Sequence, residues 1–214
     1  DHATYHKPLD APLESDIDSV AGACSGWVRR SERADEVARD AAEAVAAAQS
    51  SPGQVATLIL PADACWLEAP GPAAPLPVPR PADPDEALID ELAALLRTGA
   101  PVVLLLGGRA LRGDGLVAAA RIAASSGARL LAKTFPVRHE RGAGLPVVDR
   151  LAYLAEFAQM QLSGAVHLIV IDTAPPVSFF AYPDKASVLS PPDCTVHLVD
   201  RSFDPVAVLG ALAD

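Results

Sequence analysis

Five consecutive apolar residues, Val102 to Leu106, lead directly into Gly107 and Gly108. A short run of this kind that ends on glycine is typical of a strand buried on both faces of a parallel sheet, followed by a tight turn into a helix. Because a parallel sheet needs crossover helices, the segment favours the α/β class. Ligands of such sheets bind at the carboxyl ends of the strands, so the turn at Gly107 is the first place to look for a site.

The chain around this strand alternates between helix and strand patterns. Asp83-Pro84-Asp85-Glu86 has the N-cap, the proline and the glutamate of a helix start, and this helix should end at Gly99. The pattern then predicts helices at 115–126, 149–162 and 205–213, and strands at 129–132, 166–171 and 195–199. We therefore expect residues 84–214 to form a doubly wound, Rossmann-like domain around a parallel sheet.

The residues before position 84 divide into two parts. Ser31 is the predicted N-cap of a long amphipathic helix, and 55–60 is the strand predicted to follow it. Residues 1–68 contain too few strands to cover their helices alone, so we interpret them as an incomplete α/β segment from a preceding domain. Residues 69–83 are rich in proline and are predicted to be an extended linker. The chain also begins without methionine, and we expect it to be a piece of a longer polypeptide.

Charge and cysteine content limit the possible classes of function. The chain has 27 acidic and 17 basic residues and a formal net charge of -10, which opposes binding to a nucleic-acid backbone. Its three cysteines are far apart and form no CxxC pair, which argues against a structural zinc site or a disulfide framework. No apolar run has the length of a membrane-spanning helix. We expect a cytoplasmic protein with no nucleic-acid or membrane partner.

His2 and His6 are the first candidate site residues. Their four-residue spacing would place both rings on one face of a helix, as in a metal site. Pro8 makes such a helix unfavourable, and the glutamate of an HExxH motif is missing. An ordinary solvated loop is the main interpretation, and a role in a pocket wall is the second.

Gly107, Gly108 and Arg109 are the second candidate site. With Gly113 and Gly115 they resemble a turn whose backbone amides approach a phosphate at a helix N-terminus. The spacing is neither GxGxxG nor a Walker loop, and Leu131-Ala132-Lys133 stands where a ribose-binding carboxylate would be expected. Simple turn chemistry is therefore favoured over a working nucleotide site.

The remaining candidates have plain structural interpretations. His167 and His197 lie inside predicted strands, and His139-Glu140-Arg141 is read as a charge pair in a loop. The segment 178–182, Ser-Phe-Phe-Ala-Tyr, has no GxSxG elbow and is predicted to be an aromatic packing cluster at a loop or subunit contact. The sequence contains no recognisable set of nucleophile, base and orienting residue, so no catalytic residue is predicted within this chain.

The order of the sequence motifs nevertheless resembles a known family. The motifs are DHATYH…DIDSVAGACSGWVRR, PGQVATLILPADACW, DEALIDELAALLRTGAPVVLLLGGRA and VHLIVIDTAPPVSFFAYPDK. In this order they resemble the thiamine diphosphate-dependent enzymes of the acetolactate synthase and benzoylformate decarboxylase group. The resemblance covers the whole chain. It identifies residues 1–68 with the end of a pyrimidine-binding domain and 84–214 with a central Rossmann-like domain.

The resemblance also implies a chemistry. The family's activity is attack of a thiamine ylid on a 2-keto acid, followed by decarboxylation and by protonation or ligation to a second carbonyl, with the cofactor as electron sink. Thiamine diphosphate and Mg²⁺ would be bound by residues outside this chain, because Gly113-Asp114-Gly115 is not the family's metal motif and the chain has no asparagine. His2 and His6 would line the mouth of the active site. Their loop departs from the glutamine-bearing loop of acetolactate synthases.

Three readings follow from these observations. The first is a fragment of a thiamine diphosphate-dependent carboligase or decarboxylase, inactive alone, whose partners are the remaining domains of the polypeptide in a dimer or tetramer. The second is a module that binds FAD or ADP, as some relatives do, although the Gly107 turn suggests a vestigial site. The third is a scaffold domain for an oligomer.

Overall fold

The computed structural model describes every residue from Asp1 to Asp214. The chain divides into two compact units, residues 1–81 and 82–214. The structure contains no helix with the length and hydrophobicity of a membrane span.

The first unit is built on a small parallel sheet. Its elements are α1 (Ile17–Gly22), β1 (Trp27–Arg30), α2 (Val37–Gln49), β2 (Ala56–Ile59) and α3 (Ala62–Trp66), with short 3₁₀ helices at Lys7–Leu9 and Ala34–Glu36. Strands β1 and β2 are parallel, with Trp27 opposite Ala56, and α2 forms the crossover between them. The proline-rich residues from 69 to 81 form no helix or strand, and Pro75 and Leu76 line a groove against α2.

The second unit is a five-stranded parallel sheet with helices on both faces. Its elements are α4 (Glu86–Leu96), β3 (Val102–Leu106), α5 (Gly113–Ser126), β4 (Arg129–Ala132), β5 (Asp149–Arg150), α6 (Ala155–Leu162), β6 (His167–Ile171), β7 (Thr195–Leu198) and α7 (Pro205–Ala213). The strand order is β5-β4-β3-β6-β7. The first strand of this unit, β3, lies in the centre, with β4 and β5 on one side and β6 and β7 on the other, which is the Rossmann-like order. The predicted doubly wound α/β class is confirmed.

Alternate residues of the central strands pack into two separate cores. Leu104, Leu106 and Ile169 join the cluster beneath α4, α5 and α7. Val103 and Leu105 face the other way and pack with residues of α6. All five residues of β3 are buried, as expected for a strand that is covered on both faces.

Three predicted helix starts are wrong, and each error has the same cause. Ser31 is not a cap, because its backbone amide still bonds to Ile59 of the sheet and α2 begins only at Val37. Asp83 is not the N-cap of α4. The residue before it, Ala82, pairs with Phe203 as an isolated bridge, and α4 begins at Glu86 with Asp85 as its N-cap. The helix expected from 149 begins at 155, because Asp149–Arg150 pairs with β4 as an edge strand.

Candidate functional site

The central feature of the second unit is the carboxyl end of β3, where it lies beside β6. The chain turns from β3 towards β4 on one side, whereas β6 and β7 extend the sheet on the other. This is the topological switch point, where open α/β sheets bind their ligands. Gly107 and Gly108 follow β3 here, and Asp172 and Thr173 follow β6.

The two glycines are required by a close approach of the neighbouring backbone. A Cβ on Gly107 would lie 2.7 Å from the Cβ of Thr173 and still closer to the carbonyl oxygen of Asp172. Gly108 has φ 40° and a Cβ there would lie 2.6 Å from Cγ of Asp172. Both glycines are therefore explained by packing against the end of β6, with no phosphate needed.

The carboxylate of Asp172 is bound at the turn itself. Its Oδ2 accepts a hydrogen bond from the backbone amide of Arg109 at 2.8 Å. Its Oδ1 lies 3.6 Å from Nε of Arg201. Asp172 has φ 52°, an uncommon backbone conformation for a residue other than glycine. The guanidinium of Arg109 points to a different carboxylate, that of Asp204, at 3.0 Å.

A second carboxylate of the protein caps the helix that follows. Oε2 of Glu140 accepts a hydrogen bond from the amide of Gly113, the first residue of α5, at 2.7 Å. This bond is the main reason why the pKa of Glu140 lies below its ordinary value. Arg138 pairs with the same side chain at 2.8 Å. The amides of Arg109 and Gly113 are thus bound by the protein's own acidic groups.

This arrangement does not fit a diphosphate. A bound diphosphate would have to displace Asp172 or Glu140 and would meet the remaining negative charge at close range. Among residues 1–214 no three metal-ligating side chains converge. At this turn the amides of Arg109 and Gly113 are therefore not open to a diphosphate.

His2 and His6 lie at the carboxyl edge of the small sheet in the first unit. Their ring centroids are 5.4 Å apart. The loop is held by Thr4, whose amide and hydroxyl donate to the Asp63 carboxylate at 2.9 and 2.5 Å. These bonds lower the pKa of Asp63, the hydroxyl contributing most. An ion pair between Asp1 and Arg30 ties the loop to the end of β1, so the backbone that carries the two histidines is anchored at both strands.

The other histidines lie within the second unit. Nε2 of His197 lies 3.2 Å from Nδ1 of His167 across β6 and β7, and burial, followed by the charge of His167, lowers the pKa of His197. Both ring nitrogens of His139 are buried without a hydrogen-bond partner. Burial, with Arg141 and Arg150 adding to it, lowers the pKa of His139. No hydrogen bond joins any of these rings to a serine, threonine or cysteine side chain.

An aromatic cluster lies at the carboxyl edge of the second unit. Phe135, Tyr153 and Phe179 contact one another with centroids 5.3–5.8 Å apart. Phe180 and Tyr182 continue the cluster along one loop. Only the 178–182 part of this cluster was predicted from the sequence. Phe135 and Tyr153 come from two other loops, and only the strand order brings them there.

Sequence reasoning also missed Asp172. A signal was present, because an acidic residue directly after a buried strand lies at the ligand-binding edge of a parallel sheet. Whether it faces the glycine turn depends on which strands are neighbours. That pairing could not be read from the local pattern.

Comparison with known proteins supports the resemblance that the motif order indicates. No family model matches the chain. Over all 214 residues it is 53% identical to a Mycobacterium tuberculosis protein described as "Putative acetolactate synthase large subunit IlvX", and it spans 41% of the length of that protein. The resemblance to thiamine diphosphate-dependent enzymes, inferred from the motif order, is confirmed.

Solved structures agree on the fold. A "putative thiamin diphosphate-dependent enzyme" from Mycobacterium smegmatis superimposes with a TM-score of 0.77 at 20% identity, covering 99% of this chain and 44% of its own. A 4-hydroxybenzoylformate decarboxylase from Rhodococcus jostii gives 0.74 at 18% identity, with 99% and 43% covered. The benzoylformate decarboxylase of Polynucleobacter necessarius gives 0.73 at 20%, with 99% and 42% covered. At these identities the likeness concerns the fold alone.

Proposed function

We propose that the chain is part of a thiamine diphosphate-dependent enzyme that decarboxylates or ligates a 2-keto acid, and that it is catalytically incomplete alone. The observation that supports this most strongly is the 53% identity along the whole chain to an acetolactate synthase-like protein more than twice as long. In this proposal residues 1–68 are the end of a pyrimidine-binding domain, 69–83 a linker and 84–214 the central domain. The cofactor and Mg²⁺ are bound by other parts of the polypeptide, in a cytoplasmic homo-oligomer.

The proposed contribution of this chain is structural, with His2 and His6 as part of a pocket wall. Their loop is anchored through Asp63, which follows β2, and the two rings lie 5.4 Å apart at the edge of the sheet. No step of the reaction is assigned to the Gly107 turn, because the carboxylates of Asp172 and Glu140 already bind the amides there.

The test is an activity comparison between two lengths of the protein. Release of CO₂ from pyruvate and from benzoylformate is measured, with thiamine diphosphate and Mg²⁺, for the 214-residue chain and for a protein extended to the length of the mycobacterial relative. We expect turnover by the extended protein and none by the 214-residue chain. Turnover by the shorter chain would refute the proposed incompleteness, and inactivity of both would refute the proposed activity.

Binding of FAD or ADP by the second unit is the competing proposal. Because the carboxylate of Asp172 occupies the amide of Arg109, we expect no saturable heat when ADP or FAD is titrated into the chain at millimolar concentration. A saturable isotherm that Asp172→Asn strengthens would support the nucleotide-binding module instead. A scaffold role would appear as self-association without either ligand.

A further inference from the structure

Two histidine rings meet on one face of the five-stranded sheet of the second unit. His167 begins β6, and His197 lies in β7. In the parallel register His167 is opposite Thr195, and His197 is opposite Ile169. The two histidines are therefore diagonal neighbours, and residues two apart on a strand project from the same face. Ile169 belongs to the core cluster beneath α4, so both rings lie on the side of the sheet that α4 covers.

The distance between the facing ring nitrogens suits a shared metal ion. Nε2 of His197 lies 3.2 Å from Nδ1 of His167, and the ring centroids are 5.3 Å apart. Imidazole nitrogens bind Zn²⁺ at about 2.0–2.1 Å, so two of them on one tetrahedral ion are about 3.3 Å apart. The observed separation therefore needs no movement of either strand. The ion would lie to one side of the line that joins the two nitrogens, which requires a tilt of each ring.

A carboxylate lies behind one of the two rings. Oε1 of Glu91, in α4, is 3.9 Å from Nδ1 of His197, whereas Nε2 of that ring faces His167. The nearby negative charge favours a hydrogen on Nδ1 of His197, which leaves the lone pair of its Nε2 free to bind a cation. Histidine ligands of metals commonly donate their second ring N–H to a carboxylate in this way. The hydrogen between the two rings then belongs to Nδ1 of His167, and it shifts to Nε2 of the same ring when an ion takes its place.

The chemistry of the donors selects the kind of ion. Neutral imidazole is a good ligand for Zn²⁺, Ni²⁺ and Cu²⁺, whereas Mg²⁺ and Ca²⁺ prefer oxygen ligands. Among residues 1–214 no three metal-ligating side chains converge. An ion held by these two rings therefore has two protein ligands, and water completes its coordination.

We propose that His167 and His197 form a binding site for a divalent transition-metal ion of the Zn²⁺ type, with Glu91 as the residue that orients His197. The site joins β6, β7 and α4, so a bound ion stabilises the edge strand β7 against the rest of the sheet. The proposal is independent of the thiamine chemistry in the proposed function, because its three residues contact one another within the second unit.

The experiment is a calorimetric titration of the 214-residue chain with ZnCl₂ at neutral pH. We expect saturable 1:1 binding with Kd between about 1 and 100 µM, since two of the four protein ligands of a structural zinc site are present. MgCl₂ at the same concentrations should give no saturable heat, because imidazole is a poor ligand for Mg²⁺.

Variants of the three residues separate this site from other zinc-binding groups of the chain. His167→Gln and His197→Gln should each raise Kd for Zn²⁺ at least about 10-fold, because each leaves a single protein ligand. Glu91→Gln should raise it by about 10-fold, the lower end for a residue that orients a ligand, because its carboxylate is 3.9 Å from the ring. His2→Gln is the matched control, because His2 also lies beside a second histidine, with its ring 5.4 Å from that of His6. Its Kd should stay within about twofold of the parent value.

Thermal unfolding followed by circular dichroism gives a second readout and shows whether each variant is folded. Zn²⁺ at about 100 times Kd should raise the Tm of the parent by at least about 3 °C. The same concentration should not raise the Tm of His197→Gln. Ring NMR of the unmodified chain does not depend on the folding of a variant, and there Zn²⁺ should shift the ring nitrogens of two of the five histidines. Both shifted signals should remain in His2→Gln.

Several outcomes would overturn the proposal. Absence of saturable binding would do so, and so would equal weakening in His2→Gln and His197→Gln, which would show that zinc binds at scattered groups. Zinc binding without a shift of any histidine ring would assign the ion to the cysteines. Loss of the shifted signals in His2→Gln would place the ion at the His2 and His6 pair of the first unit.

Discussion

Replacing Gly107 by alanine tests why the turn after β3 contains glycine. Gly107 has φ -136°, a conformation open to any residue, so the backbone itself adds no strain. The added methyl group would lie 2.7 Å from Cβ of Thr173 and closer still to the backbone oxygen of Asp172. To restore ordinary contact, the turn and the end of β6 must move apart by about 1 Å, which is comparable to an overpacked core.

We expect Gly107→Ala to lower the free energy of unfolding by about 3 kcal/mol, at the upper end for overpacking, because both segments follow central strands whose last four residues are buried. For a unit of this size that free energy corresponds to a fall in Tm of about 10 °C. Thermal unfolding followed by circular dichroism measures it.

Gly210→Ala is the matched control for this prediction. Gly210 lies in α7 of the same unit, and a Cβ there would meet no atom within 4 Å. Helix propensity predicts a gain of up to about 1 kcal/mol. If Gly107→Ala melted at the parent temperature, the steric explanation would be wrong, and a role in approaching a ligand phosphate would regain support.

Two further predictions concern stability. Burial lowers the pKa of His139 and of His197 below the ordinary 6.5. Below about pH 6.5 the unfolded chain therefore binds protons that the folded chain does not. The free energy of unfolding should consequently fall as pH falls from about 6.5 towards 5. Urea titrations at several pH values measure the slope of the free energy of unfolding against pH. This slope should be smaller in His139→Gln and smaller still in the double variant with His197→Gln. An unchanged slope in the double variant would show that the two histidines do not cause the pH dependence. In the first unit, the buried carboxylate of Asp40 accepts hydrogen bonds from Ser31 at 2.8 Å and Arg29 at 3.1 Å. Asp40→Ala should therefore lower the free energy of unfolding, measured by urea titration, by about 2–3 kcal/mol. Asp35→Ala, which removes an exposed ion pair with Arg33, should change the free energy of unfolding by less than about 1 kcal/mol. Equal losses in the two variants would show that the buried hydrogen bonds of Asp40 do not stabilise the first unit more than an exposed pair does.

The elements that local pattern determines were predictable from the sequence. Val102–Leu106 and the helix at 205–213 were placed correctly, because an unbroken apolar run and an Asp-Pro helix start are local signals. The helix starts predicted at Ser31, Asp83 and residue 149 were wrong, because each of these positions depends on backbone pairing with a distant segment. Pairing energy at such positions outweighs the capping preference of a single side chain.

The same distinction applies to the candidate site. The glycine turn was located from sequence, and simple turn chemistry was already the favoured explanation. The carboxylate that occupies it comes from Asp172, 63 residues beyond Arg109, and could be assigned only after β6 was placed beside β3. The aromatic cluster likewise combines loops that follow β4, β5 and β6, so its 178–182 part alone suggested only a packing cluster.

The most direct test of the proposed function is a titration of thiamine diphosphate with Mg²⁺ by calorimetry. It is performed on the 214-residue chain and on a protein extended at both ends to the length of the mycobacterial relative. We predict saturable binding to the extended protein and none to the 214-residue chain, because the proposal places the residues that bind the cofactor and Mg²⁺ outside this chain. Saturable binding by the 214-residue chain, or binding by neither protein, would contradict the account.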